Sequence, residues 1–403
     1  MSELMIRRNF YLNQITPFID KDLVKVLIGV RRSGKSTLLA QIQELLRNKG
    51  VLPEQILNIN YESKQFDNYK TSDALYEFVT SWRKNKNEKV YLFFDEIQEV
   101  EGWEESVNSF RVDFDCDIYI TGSNSKLLSG ELATYLRGRY VSFTVYPFSF
   151  HEAKELALQK NTFTTNEALF ANYVKLGGFP QRFELPTEQS VKTYLSDLYD
   201  TIVLKDIMER NKIRNTVLLR KLVEFLINNI GNVFSANSIV KKLKGEGVKT
   251  NVETILSYLD AITRSFAISA VPRYNISGKQ LLESNEKYYC VDLGFHTLLR
   301  KNDKMDVGHL YENIVYSELL SRGWSVSVGK LNQCEIDFVC TRGEETIFVQ
   351  VAYLITESDI EREFGNLKLI QNNYPKYVIS ADLIDLSLDG IVHKNIINFL
   401  LEE

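Results

Sequence analysis

Residues Val26 to Thr37 spell VLIGVRRSGKST, an apolar run delivered into the spacing G-x-x-x-x-G-K-S. Those residue types at that spacing can cradle a nucleoside triphosphate. Gly29 and Gly34 permit backbone angles that a β-carbon opposes, so consecutive N–H groups can turn inward around a β-phosphate at a helix N-terminus. Arg31, Arg32 and Ser33 fill the loop, Lys35 reaches the β- and γ-phosphates, the Ser36 hydroxyl is placed to ligate Mg²⁺, and Thr37 continues the helix.

A second group of chemically capable residues lies at Val90 to Glu96, VYLFFDE, an unbroken apolar strand ending in two carboxylates, a Walker B pattern. A strand inside a parallel sheet is apolar on both faces, and its carboxyl end borders the ligand crevice. Asp95 would hold Mg²⁺ there. Glu96 would be the general base, orienting and polarising the water that attacks the γ-phosphate. Asp117 to Asn124, DIYITGSN, reads as a strand ending in small polar residues, so Ser123 or Asn124 could contact the γ-phosphate or the attacking water. Arg137 and Arg139 precede a fifth strand. An arginine there can stabilise charge developing on the γ-phosphate of its own subunit or a neighbour's, and Arg139 is taken for that part.

The elements that must position these residues alternate through the first 150 positions. Strands are expected near 23–29, 55–60, 90–95, 117–121 and 140–146 with helices between them, which makes 1–150 a doubly wound, parallel α/β core. Residues 151–214 read as amphipathic helices broken at Gly177-Gly178-Phe179-Pro180, a helical lid. Over 215–280 three helices, Val217 to Asn229, Ser235 to Leu243 and Thr250 to Leu259, precede alternating segments at Phe266 to Val271 and Tyr288 to Val291. That is a winged helix-turn-helix pattern, in which Lys241, Lys242, Lys244 and Lys249 could meet DNA phosphates. The third helix offers Asn251 and Glu253 but no arginine near its start, so packing against protein stands as the alternative to DNA binding.

Residues 281–403 contain a helix from Tyr311 to Leu320 and strands at Ser325 to Val328, Glu335 to Val339 and Ile347 to Val351. This order resembles the PD-(D/E)XK nuclease fold, in which a helix glutamate and D…(E/Q)xK on two strands collect Mg²⁺ and activate water. Glu312 and Asp337 match the first positions and Gln350 the third, but Ala352 stands where the lysine belongs. A missing negative charge and a missing ammonium both weaken water activation, so the expectation is a degenerate site on a retained docking fold. Lys368, on a neighbouring helix, is the candidate substitute.

Taken in order, several motifs are similar to one family: GVRRSGKST from Gly29, FDEIQ from Phe94 with Trp103 after it, and TGS from Thr121. LRGRY from Leu136 is followed by PFSF from Pro147, GGFP from Gly177 and LKDI from Leu204. They resemble AAA+ superfamily P-loop ATPases of the archaeal and bacterial group that carry a C-terminal nuclease-like domain. The resemblance implies ATP binding and hydrolysis, with Lys35, Ser36, Asp95 and Glu96 in the roles given above. No guanine-reading N-K-x-D motif is evident, which agrees with ATP.

Length and composition bound the remaining possibilities. A chain of 403 residues exceeds one hydrophobic core and should form two to four domains. No stretch approaches the roughly 20 apolar residues of a membrane span, and MSELMIRR lacks the apolar centre of a signal peptide, so no membrane association and a cytoplasmic location are expected. Cys116, Cys290, Cys334 and Cys340 show no C-x-x-C spacing, which argues against structural zinc and disulfides. The net charge of −5 hides an asymmetry: Thr216 to Lys279 holds nine Lys or Arg against four Asp or Glu, leaving that segment at +5 and the rest at −10.

These readings converge on an ATP-hydrolysing machine whose nucleotide state moves a DNA-binding winged helix and a nuclease-like domain. Two alternatives stand beside it. One is an ATP-dependent signalling or scaffold switch that docks a protein partner or a second copy of itself without DNA; the other is an ATP-dependent DNA nuclease.

Overall fold

The computed structural model describes residues 6–84, 88–123, 136, 138–162, 165–209, 211–300 and 307–402. Two compact units emerge: Met1–Tyr146 with Arg264–Phe266, and Pro147–Thr263 with Ala267–Glu403.

In the first unit β1 (Val24–Ile28), β2 (Ile56–Asn60), β3 (Val90–Asp95), β4 (Cys116–Gly122) and β5 (Tyr140–Thr144) form one parallel sheet in the order β2-β3-β4-β1-β5. Every residue of β1 and β3 is buried. Burial on both faces explains why, apart from Lys25 and the terminal Asp95, those strands are apolar without alternation. Their side chains still part by parity. Val24, Val26, Ile28, Leu92, Phe94 and Ile120 pack on one face with Leu75 and Val107 of the helices Ser72–Arg83 and Trp103–Asp113. Leu27, Phe93 and Tyr119 face the other way, onto Leu38, Leu39, Ile42 and Leu46. Those four form the apolar stripe of the helix Lys35–Asn48. Fully burying one such side chain contributes about 1.5–3 kcal/mol, so the helix behind the glycine loop is anchored by several of them.

Parallel register brings three strand ends to one edge. Ile28 pairs with Gly122, Phe94 with Ile120, and Asn60 with Asp95, so the glycine loop after β1 and the carboxylates after β3 lie on either side of the end of β4. The opposite half of the sheet holds a buried exception, the ion pair of Lys25 with Asp117. Asp117 also accepts from the Tyr119 hydroxyl at 2.8 Å and the Asp20 N–H at 2.9 Å, which satisfies a charge that burial alone would disfavour.

The second unit opens with the helices Phe150–Lys160, Asn166–Leu176 and Glu188–Thr201. After them come a helix Thr216–Ile227, the short strand β6 (Val233–Phe234), helices Ala236–Gly245 and Val252–Arg264, and a hairpin of β7 (Ile268–Asn275) and β8 (Gln280–Cys290). Helices Leu293–Leu299 and Val307–Ser321 lead into β9 (Ser325–Leu331), β10 (Cys334–Arg342), β11 (Glu345–Val351), β12 (Lys376–Ser380) and β13 (Val392–Asn395). All eight strands share one sheet, β13-β12-β11-β10-β9-β7-β8-β6. The hairpin joins the C-terminal strands through parallel pairing of β7 with β9, Arg273 opposite Val328. The boundary expected between residues 280 and 281 therefore falls at the start of β8. Among the described residues no helix is long and apolar enough to cross a membrane.

The Gly177-Gly178-Phe179-Pro180 break is tied down by Asp292, which caps the helix Leu293–Leu299. One carboxylate oxygen accepts the Gly178 N–H at 2.6 Å and the other the Gly294 N–H at 2.8 Å. A β-carbon on Gly177, whose φ is +75°, would stand 1.6 Å from that carboxylate. Burial pushes the Asp292 carboxyl up to about 6 despite these donors. Such a group keeps its proton in the fold after the unfolded chain, with a carboxyl near pKa 3.9, has lost it. Its contribution to stability is therefore greatest at about pH 4 and below, and declines as pH rises to about 6, by about 3 kcal/mol in total. Melting wild type and Asp292→Asn side by side from pH 4 to 7.5 should give a Tm difference that changes between pH 4 and 6 and levels off above. A difference constant across the range would show that Asp292 does not titrate there.

Candidate active site

The glycine loop bends through backbone conformations that its sequence anticipates. Gly29 has φ +144° and approaches β5 so closely that a β-carbon would lie 2.2 Å from the Val145 carbonyl oxygen. Gly34, at φ +97°, turns the chain into the helix Lys35–Asn48. The Lys35 ammonium is buried under the loop and donates to the carbonyls of Gly29 at 3.0 Å and Val30 at 3.1 Å. Ser33 is fully buried and its hydroxyl has no hydrogen-bond partner among the described residues. A buried unpaired hydroxyl is unfavourable by itself, and an anionic oxygen is one group that could pair with it.

Across the sheet edge, Asp95 and Glu96 are both buried. The Ser36 hydroxyl favours the charged form of the Asp95 carboxylate, and a hydroxyl with a carboxylate is a pair of hard oxygen donors suited to a small divalent cation. Burial raises the Asp95 carboxyl above its ordinary range, against the lowering pull of Thr121, Ser36 and Lys35. Thr121, near the end of β4, serves both acids: its hydroxyl donates to Asp95 at 2.5 Å and accepts the Glu96 N–H at 2.9 Å. Glu96 adopts φ +55°, ψ +48°, a left-handed conformation that a glutamate takes only under constraint. Its carboxylate accepts from the Ser123 hydroxyl at 3.2 Å and from the Gln98 amide. Lys35, Ser36, Asp95, Glu96 and Ser123 thus surround one edge. Thr121 and Gln98 were not singled out from sequence, although both lie within the quoted motifs.

The other expected residues take the following positions. Arg31 ion-pairs with Glu62 at 3.2 Å at the surface, Arg32 is exposed with φ +65°, and Thr37 is exposed on the first helical turn. Asn124 and Arg137 lie outside the described residues. Arg139 is exposed at the amino end of β5, where its carbonyl accepts the Val24 N–H. The glycine loop leaves β1 four residues beyond Val24, about 13 Å away at the strand rise, so Arg139 is not brought to the loop of its own subunit.

The second unit holds another cluster. Glu312, Asp337 and Gln350 line one cavity of about 910 Å³. Lys287 of β8, absent from the sequence expectation, reaches into it and lies 2.8 Å from Glu312, 2.8 Å from Glu335 and 3.7 Å from Asp337. Burial opposes the Lys287 charge, but Glu312, Asp337 and Glu335 outweigh it and raise the ammonium above its usual range. Asp337 is pushed well above its usual range by burial and by Glu312, with Lys287 acting against the shift. Lys368 is not the substitute expected: it pairs with Asp389 at 2.8 Å and does not line the cavity. Among the described residues no three His, Cys, Asp or Glu side chains converge as a metal would require; here the carboxylates converge on an ammonium.

A five-stranded parallel sheet, a glycine loop after its first strand and paired carboxylates after its third define a P-loop AAA+ ATPase that binds ATP. An AAA domain family matches residues 21–154, and a domain of unknown function matches 167–306. The chain belongs to the family of a Haemophilus influenzae protein to which it is 40% identical over 408 residues, with 100% of each chain covered. A Methanocaldococcus jannaschii relative is 34% identical over 84% of this chain and 77% of its own. Among solved structures, the Walker-type ATPase of Pyrococcus abyssi covers 74% of this chain and 96% of its own at 16% identity, with a TM-score of 0.49.

Proposed function

We propose that the chain hydrolyses ATP with Mg²⁺ and uses the cycle to reposition its second unit on DNA. The observation that carries the hydrolytic half is the Thr121 hydroxyl shared by Asp95 and Glu96 beside Ser36. Lys35 neutralises the β- and γ-phosphates. Ser36 and Asp95 would hold the cation, which would supply positive charge against the phosphates. Glu96, aimed by Ser123 and Gln98, takes the proton of the attacking water. Arg139, remote from its own loop, would act on the γ-phosphate of a neighbouring copy, which makes a homo-oligomer the working form.

The order helix, short strand, two helices and hairpin over 216–290 supports the winged helix reading. Lys241, Lys242, Lys244 and Lys249 are exposed, whereas the solvent face of the helix Val252–Arg264 presents Glu253, Leu256, Ser257 and Asp260. Lysines without a base-reading helix suit phosphate contacts, which hold DNA with little sequence preference. A protein-docking switch is the second reading, favoured by Leu256, 54% exposed between the two acidic residues. The nuclease reading is weakened by Lys287, which already neutralises the carboxylates that a metal would need.

The test is ATP turnover with and without duplex and single-stranded DNA across a salt series, with Mg²⁺ or Mn²⁺ dependent cutting watched in parallel. Four phosphate contacts should weaken DNA binding roughly 10²-fold between 50 and 200 mM salt. Absence of DNA binding even at the lowest salt would sink the DNA half and favour the protein switch. Cutting abolished by Asp337→Ala would revive the nuclease.

A further inference from the structure

Arg8, just before the helix Asn9–Ile15, is 2% exposed. Its guanidinium donates to the Ser33 carbonyl at 3.0 Å and to the Tyr146 carbonyl at 2.9 Å, and lies 4.5 Å from the centre of the Tyr11 ring. Ser33 belongs to the phosphate loop; Tyr146 is the last residue of the first unit before the chain enters the second. One cation therefore holds the loop and the exit peptide together.

The surrounding contacts make this a built arrangement. The Arg8 N–H donates to the Gln41 amide oxygen at 2.9 Å, and the Gln41 amide returns to the Ile6 carbonyl at 2.7 Å, stapling the segment to the helix that starts at the loop. The Tyr11 hydroxyl accepts the Tyr146 N–H at 3.1 Å. Val145 donates its N–H to the Ile28 carbonyl at 2.7 Å, directly before the loop. Beyond the exit, within the second unit, Phe148 donates to the Gly178 carbonyl at 2.8 Å and accepts from the Tyr173 hydroxyl at 2.8 Å. Gly178 is the residue that Asp292 holds. Within the first unit the exit peptide is thus fastened to the loop, and within the second unit Phe148 is fastened to the Gly178 turn.

We propose that Arg8 is a positioning residue that couples the phosphate loop to the exit peptide, so that ATP in the loop and the setting of the second unit bias each other. The inference rests on the ATP reading above. Both bonds leave one nitrogen, Nη1, whose two hydrogens are held at a fixed angle in the guanidinium plane, whereas the donors of an ammonium rotate freely about its stem. Linkage demands reciprocity: whatever ATP does to the exit, constraint of the exit does to ATP affinity.

The test uses the full chain with one fluorophore on each unit, and compares wild type, Arg8→Met, Arg8→Lys and Tyr11→Phe. ATP affinity, kcat and the ATP-induced change in energy transfer are read separately. We expect ATP to change transfer in wild type. Arg8→Met should keep ATP affinity within about tenfold yet lose that change, as expected for a coupling of typical size. Arg8→Lys should recover affinity before it recovers the change. Tyr11→Phe, which deletes only the hydroxyl and guards against a misfolded Arg8→Met, should reduce the change partially. An undiminished ATP-induced change in Arg8→Met and Tyr11→Phe would overturn the coupling role while leaving the ATP reading intact. Wild type that binds ATP with no change in transfer would also overturn it, and wild type that binds no ATP would bring down both.

Discussion

Replacing Glu96 by glutamine should leave ATP binding close to that of wild type and lower turnover by roughly 10² to 10⁴-fold, the range associated with a positioned general base. The substitution keeps the side-chain volume and one carbonyl oxygen to accept from Ser123 or Gln98, so the left-handed backbone at Glu96 and its N–H bond to Thr121 should persist. What is lost is the basic oxygen. Equilibrium binding of ATP and single-turnover hydrolysis, measured on the same preparation, separate the two effects. Lys35→Ala provides the contrast, because removing the loop ammonium should cut affinity itself. Turnover of Glu96→Gln equal to wild type would show that another group takes the proton.

The second large effect is on stability. Lys287→Met should destabilise the second unit by about 3–5 kcal/mol, because it leaves Glu312 and Asp337 buried without their cation. For a unit of this size that corresponds to a fall in Tm on the order of 10 °C. The pH dependence has a definite sign. A lysine raised in the fold contributes stability fully below its unfolded pKa of about 10.4, and loses it only as pH climbs through the folded value. The gap between wild type and Lys287→Met should therefore hold from neutral pH to about pH 10 as far as Lys287 itself is concerned. Adding Glu312→Gln to Lys287→Met should recover part of the loss, since the pair is coupled. Full additivity of the two substitutions in thermal melts would refute the ammonium-centred account of the cavity.

The two sites were unequally legible in the sequence. Lys35, Ser36, Asp95 and Glu96 could be read because the motif fixes local spacing, and because strands buried on both faces must be apolar throughout. Thr121 could also have been found: it lies three residues before Asn124 at the end of an apolar strand, where a hydroxyl borders the neighbouring strand's carboxylates. Lys287 could not. It lies 25 residues from Glu312 on a strand with no motif, and only long-range pairing of β7 with β9 brings its hairpin to β10. Lys368 illustrates the converse error, since its place on a neighbouring helix suggested a site role while an exposed partner, Asp389, offered it a simpler one. Glu335 gave a readable sign, two residues before Asp337 and so on the same face of β10. Arg8 gave none, because its partners are backbone carbonyls, which a sequence does not display.

The single eight-stranded sheet of the second unit has a mechanical consequence. Parallel strands β7 and β9, joined from Arg273↔Val328 to Asn275↔Lys330, resist sliding through several hydrogen bonds loaded together. A pull delivered at the tip of the hairpin is then borne in shear by the whole ladder out to β13, as by a stiff plate. Lys287 lies on β8, the strand paired with β7, so a pull along the hairpin would load the strand that carries it.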